Sequence, residues 1–148
     1  MQSKSEEGAA GRCPDYIRSL ELYLRQSGAR VVRSDLPSGV RGRTFKDRIV
    51  LRTDLNPEQE LLTLIHELTH WLSHRGMSGS EAHCTVFEYE AEAVEAMVMD
   101  YLGMQSPPSA SPTLERENPT DDLLLASVGR VHVASRHICA ALDSAGFA

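Results

Sequence analysis

Leu64-Ile65-His66-Glu67-Leu68-Thr69-His70-Trp71-Leu72 is the stretch on which the reading of this chain turns. It carries the pattern His-Glu-x-x-His. On a helix, His66 and His70 stand one turn apart and point the same way. Two imidazoles so placed can share one zinc ion, and Glu67 between them can reach a water on the metal. The chain has 148 residues and 6 histidines. At that composition a shuffled chain would contain the pattern roughly 0.02 times, so a surface helix carrying two accidental histidines is the weaker reading.

The residues around the pattern set its context. Upstream, Asn56 can cap a helix, Pro57 suits its first position, and Gln59 completes a capping box. From there Leu61, Leu62, Leu64, Ile65, Leu68, Trp71 and Leu72 run to about His74. So many apolar residues predict a helix packed into the protein. Buried imidazoles want partners, which favours a metal. Downstream, Arg75 to Ala82 reads as a loop. A second helix follows from about Cys84 to Leu102, with Phe87, Ala91, Val94, Val98 and Leu102 as its core stripe and Gly103 as its stop. Met104 to Thr120, rich in proline and serine, reads as a long irregular loop. Asp121 and Asp122 open a last helix with a stripe at Leu124, Val128, Val131, Ser135, Ile138 and Leu142, closed by Gly146.

Before Asn56 the chain reads as one helix, Pro14 to Ser27, and two strands, Ala29 to Arg33 and Arg43 to Arg52. The second strand alternates Phe45, Ile49 and Leu51 with charged residues, as in a sheet with one wet face. The expected fold class is α+β: a small antiparallel or mixed sheet packed on the His-Glu-x-x-His helix and two further helices.

A catalytic zinc site takes three protein ligands and keeps one position for water. After His70 the candidates are His74, His83, Glu88, Glu90, Glu92 and Glu95. Glu88, Glu92 and Glu95 share one flank of the second helix, and Glu90 sits on the opposite flank. Glu88 and Glu92 lie one turn apart, so one can bind metal while the other accepts the free N–H of a ligating imidazole. We take Glu88 as ligand and Glu92 as the supporting acid, with the reverse assignment as the alternative. His74 is expected to be an exposed helix-end residue and His83 a loop residue. His132, His137 and Arg130 are expected to be plain surface residues. Tyr89, His83 and His132 are candidates for stabilising an oxyanion.

Bulk properties narrow the class. The net charge of −6 argues against a nucleic-acid surface, and no apolar run approaches membrane-spanning length. Residues 1–12 are polar, contain no secretory signal and read as a disordered tail before a single domain at 13–148. Cys13, Cys84 and Cys139 are far apart, which suits free thiols in a reducing cytoplasm.

With these residues in hand, the chain resembles zincin metallopeptidases of the ImmA/IrrE type. It is similar also to the zincin domain of ArdC-like antirestriction proteins. The resemblance rests on Leu-Ile-His66-Glu67-Leu-Thr-His70-Trp followed by Glu88-Tyr89-Glu90-Ala91-Glu92-Ala93-Val94. It departs at Val98-Met99-Asp100, where ImmA-like proteins often have Leu-Met-Pro. The resemblance implies a zincin-like fold, Zn²⁺ held by His66, His70 and Glu88, and Glu67 as the catalytic base. It implies a protein substrate in a mobile-element setting, often a DNA-binding repressor. The alternatives are a zinc-containing protein-binding module without turnover and a toxin-type peptidase.

Overall fold

The structure, a computed structural model, describes residues 11–74, 81–104 and 121–144. The expected tail falls almost wholly outside these, as do most of the two long loops expected after His74 and after Met104. Among the described residues, four helices and three strands follow one another as α1 (Cys13–Gln26), β1 (Arg30–Ser34), β2 (Gly42–Thr44), β3 (Arg48–Arg52), α2 (Pro57–Ser73), α3 (Glu81–Tyr101) and α4 (Asp121–Asp143). The fold is α+β, and its sheet is mixed. Strand β3 lies in the middle, parallel to β1 and antiparallel to β2.

The single strand expected over Arg43 to Arg52 is a hairpin. Thr44 pairs with Ile49, and the turn between them carries neither glycine nor proline, the usual signals of a turn. Tertiary contacts hold it instead. The Trp71 indole N–H on α2 donates to the Lys46 carbonyl at 3.0 Å, and the Arg48 guanidinium lies 4.3 Å from the Phe45 ring centroid. Nor does the central strand have a wet face. Ile49, Val50 and Leu51 are all buried, as expected of a strand flanked on both edges.

Helix α2 is the hub. It packs against α1, α3, α4, β2 and β3, so three helices rather than two surround it. Its capping box forms as expected: the Asn56 side chain accepts from Gln59 N at 2.9 Å, and Gln59 Oε1 accepts from Asn56 N at 3.2 Å. Leu61, Leu64, Ile65, Leu68 and Trp71 are buried among Ile17, Leu20, Leu24, Val94, Val98 and Ile138. Fully burying each such side chain contributes about 1.5–3 kcal/mol, which holds the helix and the histidines it carries in one orientation.

Helix α3 buries Phe87, Ala91, Val94 and Val98, as the spacing predicts, and ends beside Gly103 at φ +74°. It begins at Glu81, so His83 belongs to the helix and not to the loop. Helix α4 buries Ser135, Ile138 and Leu142 of its expected stripe, but its inward face is shifted away from Val128. Ser127, Ala134, Ser135, Ile138, Ala141 and Leu142 face inward, while Val128 is 65% exposed. Among the described residues no helix is long and apolar enough to cross a membrane.

Candidate metal centre

Helices α2 and α3 lie side by side with their cross-contacts in opposite order: His66 meets Glu95, and His74 meets Phe87 and Glu90. That antiparallel arrangement brings Glu88 over the two histidines. Glu88 Oε2 lies 3.0 Å from His66 Nε2, Glu88 Oε1 lies 3.0 Å from His70 Nε2, and the two Nε2 atoms are 3.3 Å apart. These side chains are the described group able to hold a metal ion. A tetrahedral zinc with bonds of about 2.0–2.2 Å places its ligand atoms about 3.4 Å apart, a spacing open to three donor atoms that all lie within 4.8 Å of one another. Both histidines turn Nε2 inward, leaving each Nδ1 to a supporting group.

Those supports differ. His66 Nδ1 meets the Glu95 carboxylate. His70 Nδ1 lies 2.8 Å from Nδ1 of His74. All four ring nitrogens of the pair are thereby matched, and Glu92 does not take the place expected of it. The helix geometry gives the reason. At about 100° per residue, Glu95 lies about 20° from Glu88 around the axis, whereas Glu92 lies about 40° away on the other side. Glu95, two turns on, also reaches the earlier histidine of an antiparallel neighbour.

His74 is not an exposed helix end. It is 7% exposed, stacks on Phe87 with ring centroids 4.0 Å apart, and has Nε2 at 2.5 Å from Glu90 Oε2. Glu90 is 1% exposed and accepts from the Ser127 hydroxyl at 2.6 Å and from Arg130 Nε at 2.8 Å, both on α4. Arg130 therefore anchors a buried carboxylate and is not a plain surface residue. His132 and His137 are exposed, as expected.

Glu67 lines the same cleft. The residue is 9% exposed and sits at the foot of β2, where Thr44 Oγ1 lies 2.5 Å from Oε2 and 2.9 Å from the Glu67 carbonyl oxygen. Gly42 makes room: a Cβ there would sit 2.9 Å from Glu67 Cγ. The cleft, about 370 Å³, runs from Gly39–Gly42 across Leu62 and Thr63 to His66, Glu67, Glu88 and Glu95. Tyr89 and His132, two of the oxyanion candidates, line a different groove between α3 and α4. The side chain of the third, His83, lies outside the described residues. Arg41, Gly42 and Thr44 were not singled out by sequence, because no spacing rule links a strand edge to a helix that follows it.

The electrostatics suit a cation. Burial alone would lower the pKa of His66, but the hydrogen bonds and charges of Glu88 and Glu95 overcome it and raise it to about 10. Glu88 is held well below the usual carboxylate range by its bonds to His66 and His70, against its partial burial. Burial would raise Glu90, yet His74, Arg130 and Ser127 keep it below its ordinary value. The chain matches no protein-family model, no curated protein and no solved structure.

Proposed function

We propose that the protein is a zinc-dependent metallopeptidase acting on a protein substrate. The observation that carries this reading is the convergence of His66 Nε2, His70 Nε2 and Glu88 on one point, with the Glu67 carboxylate beside them in an open cleft. Two imidazoles and one carboxylate form the donor set of a catalytic zinc site with one free position. Zinc held there supplies Lewis acidity, making water acidic enough to lose a proton near neutral pH and polarising a carbonyl oxygen.

The chain's own residues supply the rest. Glu67 takes a proton from the attacking water as the new C–O bond forms, then delivers it to the nitrogen of the leaving amine, so that the C–N bond breaks in the second step. Thr44 holds that carboxylate against the floor of the cleft. Strand β2 is an edge strand beside the cleft, and an extended peptide can add to such an edge through main-chain hydrogen bonds. That edge favours a peptide over a small ester or amide as the substrate. A DNA-binding repressor as the natural target rests on the resemblance in sequence alone.

The test uses parent protein and Glu67→Gln, each loaded with zinc and mixed with a peptide library made from a whole proteome. New termini are read by mass spectrometry. The parent should cleave, and Glu67→Gln should bind as much zinc while losing about 10²–10⁴-fold in rate. Equal cleavage by both proteins would remove Glu67 from the mechanism. A parent that binds no zinc would remove the mechanism itself.

A further inference from the structure

The two histidines of the centre are supported unequally. His66 rests directly on a carboxylate, one of the usual supports of a metal-binding histidine. His70 rests on a second imidazole, and the carboxylate stands one residue further back. That arrangement has one consistent set of protons when His70 Nε2 faces a metal. His70 then carries its proton on Nδ1 and donates it to His74 Nδ1. His74 can accept there only with its own proton on Nε2, where Glu90 Oε2 lies 2.5 Å away to receive it. Glu90 stays an acceptor because Ser127 and Arg130 donate to it. Phe87, stacked on His74 with the ring planes 17° apart, fixes the angle of the relay.

We propose that His74 and Glu90 are positioning residues for the metal centre, setting the tautomer and ring orientation of His70, with Glu90 itself anchored from helix α4. The inference rests on the metal reading above. A positioning role accounts for a largely buried chain of polar side chains, from Arg130 and Ser127 through Glu90 and His74, that ends on one ligand. A purely structural ion pair between Glu90 and Arg130 is complete without His74, and burying an imidazole beside it carries a cost unless the ring serves a partner on each side. Through Ser127 and Arg130, α4 joins the site: a helix that contributes no ligand anchors the acid that stands behind one of them.

The experiment compares parent, His74→Phe and His74→Asn as folded, full-length proteins. Zinc affinity is measured by competition with a chromophoric chelator, and the coordination sphere by the visible spectrum of the cobalt-substituted forms. His74→Phe keeps a ring against Phe87 and leaves the Glu90–Arg130 pair intact, but offers His70 no acceptor. It should lose about 10–100-fold in zinc affinity, with an altered cobalt spectrum. In His74→Asn the side-chain oxygen stands where Nδ1 stood, so the acceptor returns while packing against Phe87 and the bond to Glu90 are lost. Its zinc affinity should recover to within a few-fold of the parent, although it should melt at a lower temperature than His74→Phe. A merely structural His74 predicts the reverse order, with affinity following stability. Parent-like affinity in His74→Phe, or affinity in His74→Asn as weak as in His74→Phe, would overturn the relay and leave the metal reading standing. A parent without zinc would overturn both.

Discussion

Replacing Gly42 by alanine isolates the contact between the sheet and the candidate base. The backbone of Gly42 is not in the left-handed region, so alanine fits its conformation and only the added methyl matters. That methyl would lie 2.9 Å from Glu67 Cγ, 2.9 Å from Thr63 Cγ2 and 3.2 Å from the Val50 carbonyl oxygen. None of the three yields easily. Thr63 is β-branched and buried, with a stiff first torsion. Glu67 is tied to Thr44, and Val50 O belongs to the central strand. The short strand β2 must therefore step outward, carrying Thr44 away from Glu67. Overpacking of this kind costs about 1–3 kcal/mol. For a chain of this size that lowers the melting temperature by about 3–9 °C. Gly129 in α4 is the control. A Cβ there meets nothing within 4 Å, so alanine should stabilise by about 0.5–1 kcal/mol through helix propensity. The assay is thermal unfolding of parent, Gly42→Ala and Gly129→Ala, followed by circular dichroism. A Gly42→Ala protein that melts at or above the parent would refute the close packing of β2 on Glu67.

Asn56→Ala removes the side-chain half of the α2 capping box and should cost about 1 kcal/mol, read from urea unfolding; an unchanged midpoint would mean that the cap adds nothing in this context. Zinc at about 100 times its dissociation constant should stabilise the protein by about 2.7 kcal/mol and EDTA should reverse it, with no such shift in His70→Ala; a melting temperature indifferent to zinc would count against the centre. The zinc-induced shift should shrink as pH falls, because protons compete with metal for the ring nitrogens, and a shift that grows in acid would contradict imidazole ligands. Burial, aided by the charge of Glu58, raises Cys13 from its ordinary 9.0 to about 11. The folded protein thus binds that proton more tightly than the unfolded chain, and the resulting stability, whole below pH 9.0, is lost as pH rises through about 11. Alkylation of native Cys13 in mildly alkaline buffer should accordingly be far slower than after unfolding in guanidinium, and rapid labelling seen by mass spectrometry would contradict its burial.

Some of this protein was legible because it is local. Asn56, Pro57 and Gln59 act on their own helix, and the structure shows the capping box they predict. His66 and His70 share a face because they are four residues apart, whatever surrounds them. The stripe of Phe87, Ala91, Val94 and Val98 gave the buried side of α3 for the same reason. Glu88 was placed near the histidines from its flank and its distance along the chain, and the structure brings it there.

The parts that escaped depend on how separate elements meet. Choosing between Glu92 and Glu95 requires the crossing and direction of α2 and α3, because a wheel drawn for α3 alone puts both acids on the same flank. His74 and Arg130 look like surface residues until α4 closes over the far flank of α3 and turns Glu90 inward. Helix α4 itself has apolar residues on several sides, with Leu125 73% and Val133 54% exposed, so its periodicity does not select the face that packs. The hairpin of β2 and β3 has neither glycine nor proline in its turn to announce it and is held by Trp71 from another element. What the sequence determined by itself is a helix that presents two imidazoles and a carboxylate at fixed angles, since those angles follow from the period of the helix. Only the tertiary structure decided which groups stand behind those imidazoles and which strand cradles Glu67, because a side chain's partner depends on which elements pack together and at what angle.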